Sequence, residues 1–280
     1  MSRNLYQFPL EYVQTPYGPC VYLPQDEYVG RSLHEYGYYS PSEVRLLTNI
    51  LAQDCRSFWN VGSNIGYLAM AMAAVHPDMS VYAVEAQPVM AELTRMNTSR
   101  FPRVSVYNIA LGAENSEVTI PSFDYAATNN YGAVSRDEWR SGAPVKLRTF
   151  DSWRATTADF IQLDVEGMEL DVLRGARETL KTEKPTLFLE CDRPTEGAEL
   201  LRALDEEFSY DTYWAVTPLY EEDNPACNPT NVFGACAAFN VVGVPRSRDP
   251  RPGETWVRET LRRASATDEI GRTDRWLVLR

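Results

Sequence analysis

Two stretches of the chain combine residue types and spacing that could do chemistry. In the first, Phe58-Trp59-Asn60-Val61-Gly62-Ser63-Asn64-Ile65-Gly66, an apolar strand-like run turns through two glycines into a helix-like run. Glycine at 62 permits a tight turn and close approach of backbone to a ligand, and the helix start beyond it offers unpaired N–H groups. Nineteen residues after Gly66, Glu85 ends another strand-like run and is followed by Ala86. A carboxylate there can accept both hydroxyls of a ribose, as in dinucleotide folds at a similar distance. Together these read as an adenosine site. The G-x-x-x-G spacing lacks the third glycine and pyrophosphate cradle of G-x-G-x-x-G. It weighs against NAD and suits S-adenosylmethionine (SAM), which has no phosphate to hold.

The second stretch runs Ile161-Gln162-Leu163-Asp164-Val165-Glu166-Gly167-Met168-Glu169. It puts Asp164 and Glu166 at the carboxyl end of a strand and Glu169 at the start of a helix, where open α/β sheets bind ligands. Asp164 ends an otherwise buried-type run, where an unpaired charge is costly, so it reads as functional. Glu166 and Glu169 could instead complement the helix dipole. Glu190 closes LFLEC at the same rim, as site wall or local ion pair. Of the two histidines, His76 precedes Pro77 and reads as structural, while His34, in a Tyr-rich lead-in, is a candidate base. The five cysteines show no C-x-x-C spacing and no adjacent histidine, so no metal is expected.

The elements that must position these groups follow from the rest of the chain. Apolar residues make up 44% of 280, enough for a sizeable core, and 27 Lys+Arg against 39 Asp+Glu give a net charge of −12. That background disfavours nucleic acid as a partner. No apolar run approaches the roughly 18 residues of a membrane span and the N-terminus lacks a signal-peptide pattern, so a cytoplasmic protein is expected. Strands are expected at 57–61, 80–86, 103–111, 159–165, 185–191, 210–216 and 235–244. Helices are expected near 27–36, 41–53, 65–75, 89–100, 168–181, 196–207 and 255–264, and Ser40-Pro41-Ser42-Glu43 reads as a capping box with Pro at the first helical position. The alternation argues for an α/β chain with a mostly parallel seven-stranded sheet covered on both faces. Residues 1–40 form an N-terminal arm or lid and 41–245 the main domain. A hairpin insertion spans 118–153, with a mobile loop at 124–142, and 246–280 form a C-terminal extension ending in apolar WLVLR.

The segment IQLDVEGMELDVLRGA resembles the hallmark of the FkbM family of SAM-dependent methyltransferases, which reads like IKIDVEGFELEVLKGA. In order along the chain, YVGRSLHEYGYYSPSE resembles that family's lead-in, NVGSNIG its DVGANIG, VEAQP its acid-plus-proline segment and NIALG its N-x-A-L-G. The resemblance covers roughly residues 15–245. It implies a Rossmann-like class I methyltransferase fold and SAM-dependent methyl transfer to a hydroxyl of a small molecule, such as a sugar, polyketide or other natural product. It further implies that Gly62 and Gly66, with Ser63 and Asn64 between them, shape the SAM turn and that Glu85 beside Ala86 holds the ribose. Asn108 with Ala110 would lie near the adenine, and Asp164 and Glu166 would face the reacting centre. The family usually has Asp where this chain has Asn60, whose amide can accept a hydrogen bond from the methionine ammonium without the charge-assisted share. Two rivals stay open. A noncatalytic SAM-fold partner protein would account for Asn60 but not for Asp164 and Glu166 together, and an NAD-dependent oxidoreductase lacks its third glycine. The sequence leaves a homo-oligomer open.

Overall fold

The computed structural model describes residues 9–51, 55–134, 139, 142–154, 156–266 and 268. The chain opens with a hairpin, β1 (Glu11–Thr15) and β2 (Gly18–Tyr22), then α1 (Val29–Tyr36) and α2 (Pro41–Ile50). The strand β3 (Ser57–Val61) is buried at all five positions. Its side chains alternate, so Phe58 enters one hydrophobic cluster while Trp59 and Val61 enter another on the opposite face. After it come α3 (Tyr67–Val75), β4 (Ser80–Val84), α4 (Pro88–Thr98) and β5 (Val104–Tyr107). The apolar α3 packs beneath α2 and α4, which is why YLAMAMAAV has no polar face.

The chain then leaves the main sheet for a small one, made of β6 (Ala110–Leu111), β7 (Ser116–Ile120) and β8 (Ala143–Arg148) in the order β6-β8-β7, with β7 and β8 antiparallel. The β7–β8 pair is a hairpin lying within residues 116–148. A single turn, α5 (Phe150–Trp153), returns it to β9 (Phe160–Leu163), followed by α6 (Glu169–Gly175), α7 (Arg177–Thr182), β10 (Thr186–Glu190), α8 (Pro194–Glu206), β11 (Tyr210–Pro218), β12 (Ala237–Pro245) and α9 (Pro252–Thr260). The main sheet has the order β11-β12-β10-β9-β3-β4-β5. Strands β5, β4, β3, β9 and β10 are mutually parallel, and β12 runs antiparallel to β10 and β11. The chain winds from β3 toward β5 on one side and from β9 toward β10 on the other. The crevice at the carboxyl ends of β3 and β9 is therefore the switch point where such sheets bind ligands. The α/β, seven-stranded, Rossmann-like expectation is met.

Three expectations change. The strand expected at 103–111 breaks at Asn108, whose Nδ2 donates to the backbone oxygens of Glu85 at 2.8 Å and Ala86 at 2.9 Å. That anchor pins the chain to the end of β4 and frees Ala110–Leu111 to pair with β8 instead. The helix expected at 168–181 splits at Ala176, whose φ of −110° and ψ of 16° leave the helical region; Gly175 before it packs so closely on the residue after β6 that a Cβ would fall 2.0 Å from Gly112 O. At Ser40 no capping box forms; the residue has φ 43° and its hydroxyl donates to the Glu43 carboxylate at 3.0 Å.

The insertion and the arm meet. Asn129 N donates to Gln25 O at 3.2 Å, and Glu27 N to Asn129 O at 3.1 Å. Asp26, buried, accepts from Gly30 N at 3.0 Å, Tyr28 N at 3.1 Å and Tyr131 N at 3.3 Å. Of the loop expected at 124–142, residues 135–138, 140 and 141 lie outside the described residues, as does WLVLR. The C-terminal extension packs on the domain through α9, where Gly253 sits so close to Ile50 that a Cβ would fall 2.1 Å from its oxygen. Glu254, wholly buried, binds Arg248 and Thr186.

Candidate active site

A cavity of 730 Å³ opens at the carboxyl ends of β3, β4, β9 and β10. Small-molecule sites span roughly 300–1,000 Å³, so it is roomy. At one end lies the turn after β3. Gly62 has φ 82°, and a Cβ there would stand 1.7 Å from Asp164 O, so only glycine lets the ends of β3 and β9 close together. Glu85 lines the same end. Its Oε2 accepts from Asn64 N and its Oε1 from Gln87 N, each at 2.8 Å. Burial pushes its carboxyl up to about 7 against those donors. The adjoining wall is Ala86, Ile109 and Ala110.

Several expected cofactor residues stand behind the wall rather than in it. Asn108 braces the β4 turn by the two bonds already described. Gly66 has φ 80°, and its missing Cβ would fall 2.7 Å from Thr94 Cγ2, which fits it to the α3–α4 contact. Ser63 is buried beside the Thr94 hydroxyl at 3.5 Å. Asn60 is buried in the sheet and gives its amide hydrogen to Gln162 on β9; its Oδ1 has no partner among the described residues, and it does not line the cavity. The ammonium contact expected of Asn60 is thus not one its position offers directly.

At the other end Asp164, Glu166 and Glu190 bring carboxylate oxygens within 4.8 Å of one another. Asp164 is open to the cavity yet walled by protein, and its carboxyl is held well above the ordinary range by burial and then by Glu166, Glu169, Glu43 and Asp192. Glu166, at φ 56°, pairs with Arg193, and burial pushes it up to about 7 despite that guanidinium. Glu190 is raised well above its usual value by burial and then by Asp164. Its Oε2 is sealed from water and has no partner among the described residues. Glu190 therefore lines the site, with no ion-pair partner among the described residues. Glu169 is taken up locally, its Oε1 accepting from Val165 N at 2.9 Å and Gly167 N at 3.4 Å.

His34 is a correction. Its ring is 61% exposed and lies 3.2 Å from the Tyr22 hydroxyl and 3.6 Å from Glu11, away from the cavity lining. The turn of α1 that carries it faces solvent, and buries Leu33 and Tyr36 instead. Other residues belong to the site without having been singled out. Tyr39 lines it, and Glu43, half-buried and pushed up to about 7 by burial, lies within electrostatic reach of Asp164. Gln87 and Arg193 also line it, with Leu219 and Phe239 from the β11–β12 end. The Tyr-rich lead-in was a signal for Tyr39; nothing local distinguished Glu43 from a capping residue.

Against known proteins, the description "Methyltransferase FkbM domain" fits residues 60–213, more than half of the chain. The chain belongs to the FkbM methyltransferase family. It is 23% identical over 159 residues to the 2-O-methyltransferase NoeI of Sinorhizobium fredii, a match covering 49% of this chain and 63% of that relative's length. Among solved structures it is similar to the methyltransferase FkbM of Methylobacillus flagellatus KT, with 16% identity, a TM-score of 0.44 and coverage of 68% of this chain and 44% of that one. It is likewise similar to cofactor-bound Rv0187 from MTB, with 13% identity, a TM-score of 0.45 and coverage of 74% and 79%. The family is one of methyltransferases, and membership of it implies SAM as the methyl donor. The residues present fit that cofactor. Gln87, only 6% exposed, lines the cavity with an Oε1 that lacks any partner among the described residues, an acceptor suited to an amino group such as adenine's. Glu85 keeps acceptor capacity beyond its two backbone donors, as ribose hydroxyls require.

Proposed function

We propose that this FkbM methyltransferase is SAM-dependent and methylates a hydroxyl oxygen of a small molecule, with Asp164 taking the hydroxyl proton. The observation that carries the reading is the placing of Asp164 in one cavity with the Gly62 turn and Glu85. The 2-O-methyltransferase activity named for the NoeI relative supports oxygen as the target atom. When bound, SAM supplies a methyl group whose carbon–sulfur bond breaks as the new carbon–oxygen bond forms, leaving a neutral thioether.

The protein's work is then positioning, exclusion of water and removal of a proton. Glu85 and Gln87 hold the adenosine end, and Ala86, Ile109 and Ala110 give it an apolar wall. Asp164 meets the acceptor hydroxyl. An alcohol attacks poorly unless its proton leaves during attack, and a carboxylate whose pKa is raised by burial and by neighbouring carboxyls is a stronger base than a free one. Glu166, held by Arg193, fixes the loop after β9 and keeps Asp164 basic by repulsion. A sugar or polyketide-type hydroxyl in natural-product biosynthesis is the acceptor class, and a nucleic acid is disfavoured by the net charge of −12 and the acidic cavity. The test is a screen with methyl-labelled SAM against hydroxylated small molecules, in which label on an ether oxygen is expected. Label on nitrogen or carbon alone would exclude the O-methyl reading.

A further inference from the structure

Where β11 and β12 reach the cavity, its lining is aromatic. Tyr28, the residue before α1, lines the cavity and keeps 37% of its surface exposed. A large ring left open on the wall of a site is a contact surface rather than part of the core. The residue is also held where it stands. Its ring lies flat against Phe233, with centroids 6.1 Å and planes 6° apart, and the Arg31 guanidinium is 5.9 Å from the same Phe233 ring. Its backbone N–H donates to the buried Asp26 carboxylate at 3.1 Å. Gly30 keeps this turn tight, since a Cβ there would fall 2.0 Å from Leu23 O. Phe233 is in turn tied to the cavity wall. Cys236 N donates to Phe233 O at 3.1 Å and Leu219 N to Cys236 O at 3.3 Å, and Cys236 and Leu219 both line the cavity. Phe239 on β12 continues that wall up to β10, its oxygen accepting from Cys191 N at 2.8 Å. A preset aromatic ring thus shares one cavity with the carboxylates of Asp164 and Asp192.

We propose that Tyr28 is the platform on which the acceptor lies, and that the acceptor is a pyranose sugar whose apolar C–H face rests on the Tyr28 ring while its hydroxyls turn to Asp164 and Asp192. The proposal rests on the O-methylation reading above. A sugar ring is apolar across its C–H face and polar round its edge. Laying the face on an aromatic ring and giving the hydroxyls to carboxylates satisfies both parts of the molecule. Tyrosine has few rotatable bonds, and this one is already fixed by Phe233 and Asp26, so ordering it on binding costs little. A flat phenol could stack as well, but it brings fewer hydroxyl donors to the carboxylates than a polyol ring does. An acyclic alcohol offers Tyr28 no face to cover.

The test uses the full chain with S-adenosylhomocysteine present, and methyl β-glucoside, methyl β-galactoside and catechol as probes. Saturation-transfer NMR is expected to show at least one glycoside bound, with the C–H protons on one face of its ring saturated more strongly than those on the other. Tyr28→Leu keeps an apolar side chain without the aromatic face, and should weaken that glycoside by about threefold to tenfold, the worth of an aromatic contact. Tyr28→Phe should bind it as the wild type does. Both variants should bind S-adenosylhomocysteine within a few fold of wild type, which also reports that they are folded. Absence of glycoside binding, equal saturation of both faces, or a glycoside affinity unmoved by Tyr28→Leu overturns the proposal. Catechol binding more tightly than either glycoside overturns it in favour of a flat aromatic acceptor. Loss of S-adenosylhomocysteine binding in Tyr28→Leu overturns it as well, since Tyr28 would then serve the cofactor or the fold. If a glycoside binds on Tyr28 but takes no label on oxygen from methyl-labelled SAM, the O-methylation reading fails and the platform does not. Failure of the wild type to bind S-adenosylhomocysteine strikes the cofactor reading, so the failures are told apart.

Discussion

The backbone oxygen of Asp164 occupies the space where a side chain on Gly62 would begin, 1.7 Å from an ideal Cβ. The proposed cofactor turn and the proposed base are thus built as one piece, joined also by Asp164 N donating to Val61 O at 3.0 Å. Gly62→Ala must either open the β3–β9 junction or move the turn, on top of about 1–2 kcal/mol for a side chain at positive φ. The expected outcome is a lower melting temperature together with at least a tenfold loss of SAM affinity. Wild-type affinity by calorimetry would show that the turn is not at the cofactor.

Glu85 holds its own turn and, in the proposed reading, the cofactor as well. Glu85→Ala leaves Asn64 N and Gln87 N without their acceptor, each worth about 1–3 kcal/mol when buried. Both folding stability and SAM affinity should therefore fall, the latter by roughly 10- to 100-fold, the scale of a charge-assisted contact. Because burial raises this carboxyl to about 7, SAM should bind less tightly as pH drops below 7 in the wild type. That slope should flatten in Glu85→Gln, measured by titration calorimetry across pH 5.5–8.

Asp164→Asn keeps shape and removes the base. Turnover on the true acceptor should drop by roughly 10²-fold or more, with SAM affinity within a few fold of wild type. His34→Ala, at an exposed position outside the cavity, should turn over normally. The reverse pattern in steady-state assays would move the base to the N-terminal arm.

The acid cluster makes cofactor-free stability depend on pH. Glu190 has a raised pKa in the folded protein, so its stabilising proton is fully present below the usual value of 4.5 and is lost as pH rises through the folded pKa. Glu85 and Glu166, raised to about 7, act in the same direction between 4.5 and 7. Glu254 is depressed and opposes them only below about 4.5. Glu190→Gln should therefore melt above wild type at pH 8 by at least about 2 °C, the scale of 0.5–1 kcal/mol in a domain of this size. The gain should shrink toward pH 5. A melting difference that does not change with pH would show that Glu190 carries no such strain.

Asp26 ties the arm to the insertion by accepting from three backbone N–H groups. Asp26→Ala should destabilise the chain by about 2 kcal/mol, set by buried donors left without an acceptor. It should also raise deuterium exchange selectively at residues 25–30 and 128–132. Uniform protection in the variant would mean that the insertion is held by other contacts.

Much of this was legible without coordinates, because it is local. Alternating apolar runs mark seven strands of one sheet, and a glycine at 62 followed by a carboxylate at 85 marks one end of the site, since turn geometry and strand endings depend on residues close in sequence. The acids Asp164 and Glu166 sit next to a buried run and betray themselves by the cost of charge there. What the sequence could not show is which residues meet from far apart. Asn108, read as a cofactor contact, spends its amide on the β4 backbone, and Asn60 spends its own on Gln162, because side-chain amides go to whichever partners the packed sheet presents. His34 and Glu43 lie nine residues apart in the same lead-in. The winding of α1 and α2 turns one out to solvent and the other toward Asp164, a difference of orientation that no local pattern encodes. Glu190 is the clearest case: a strand-ending glutamate in the sequence, it becomes an unanswered charge only when β9 and β10 align side by side and Arg193 is taken by Glu166.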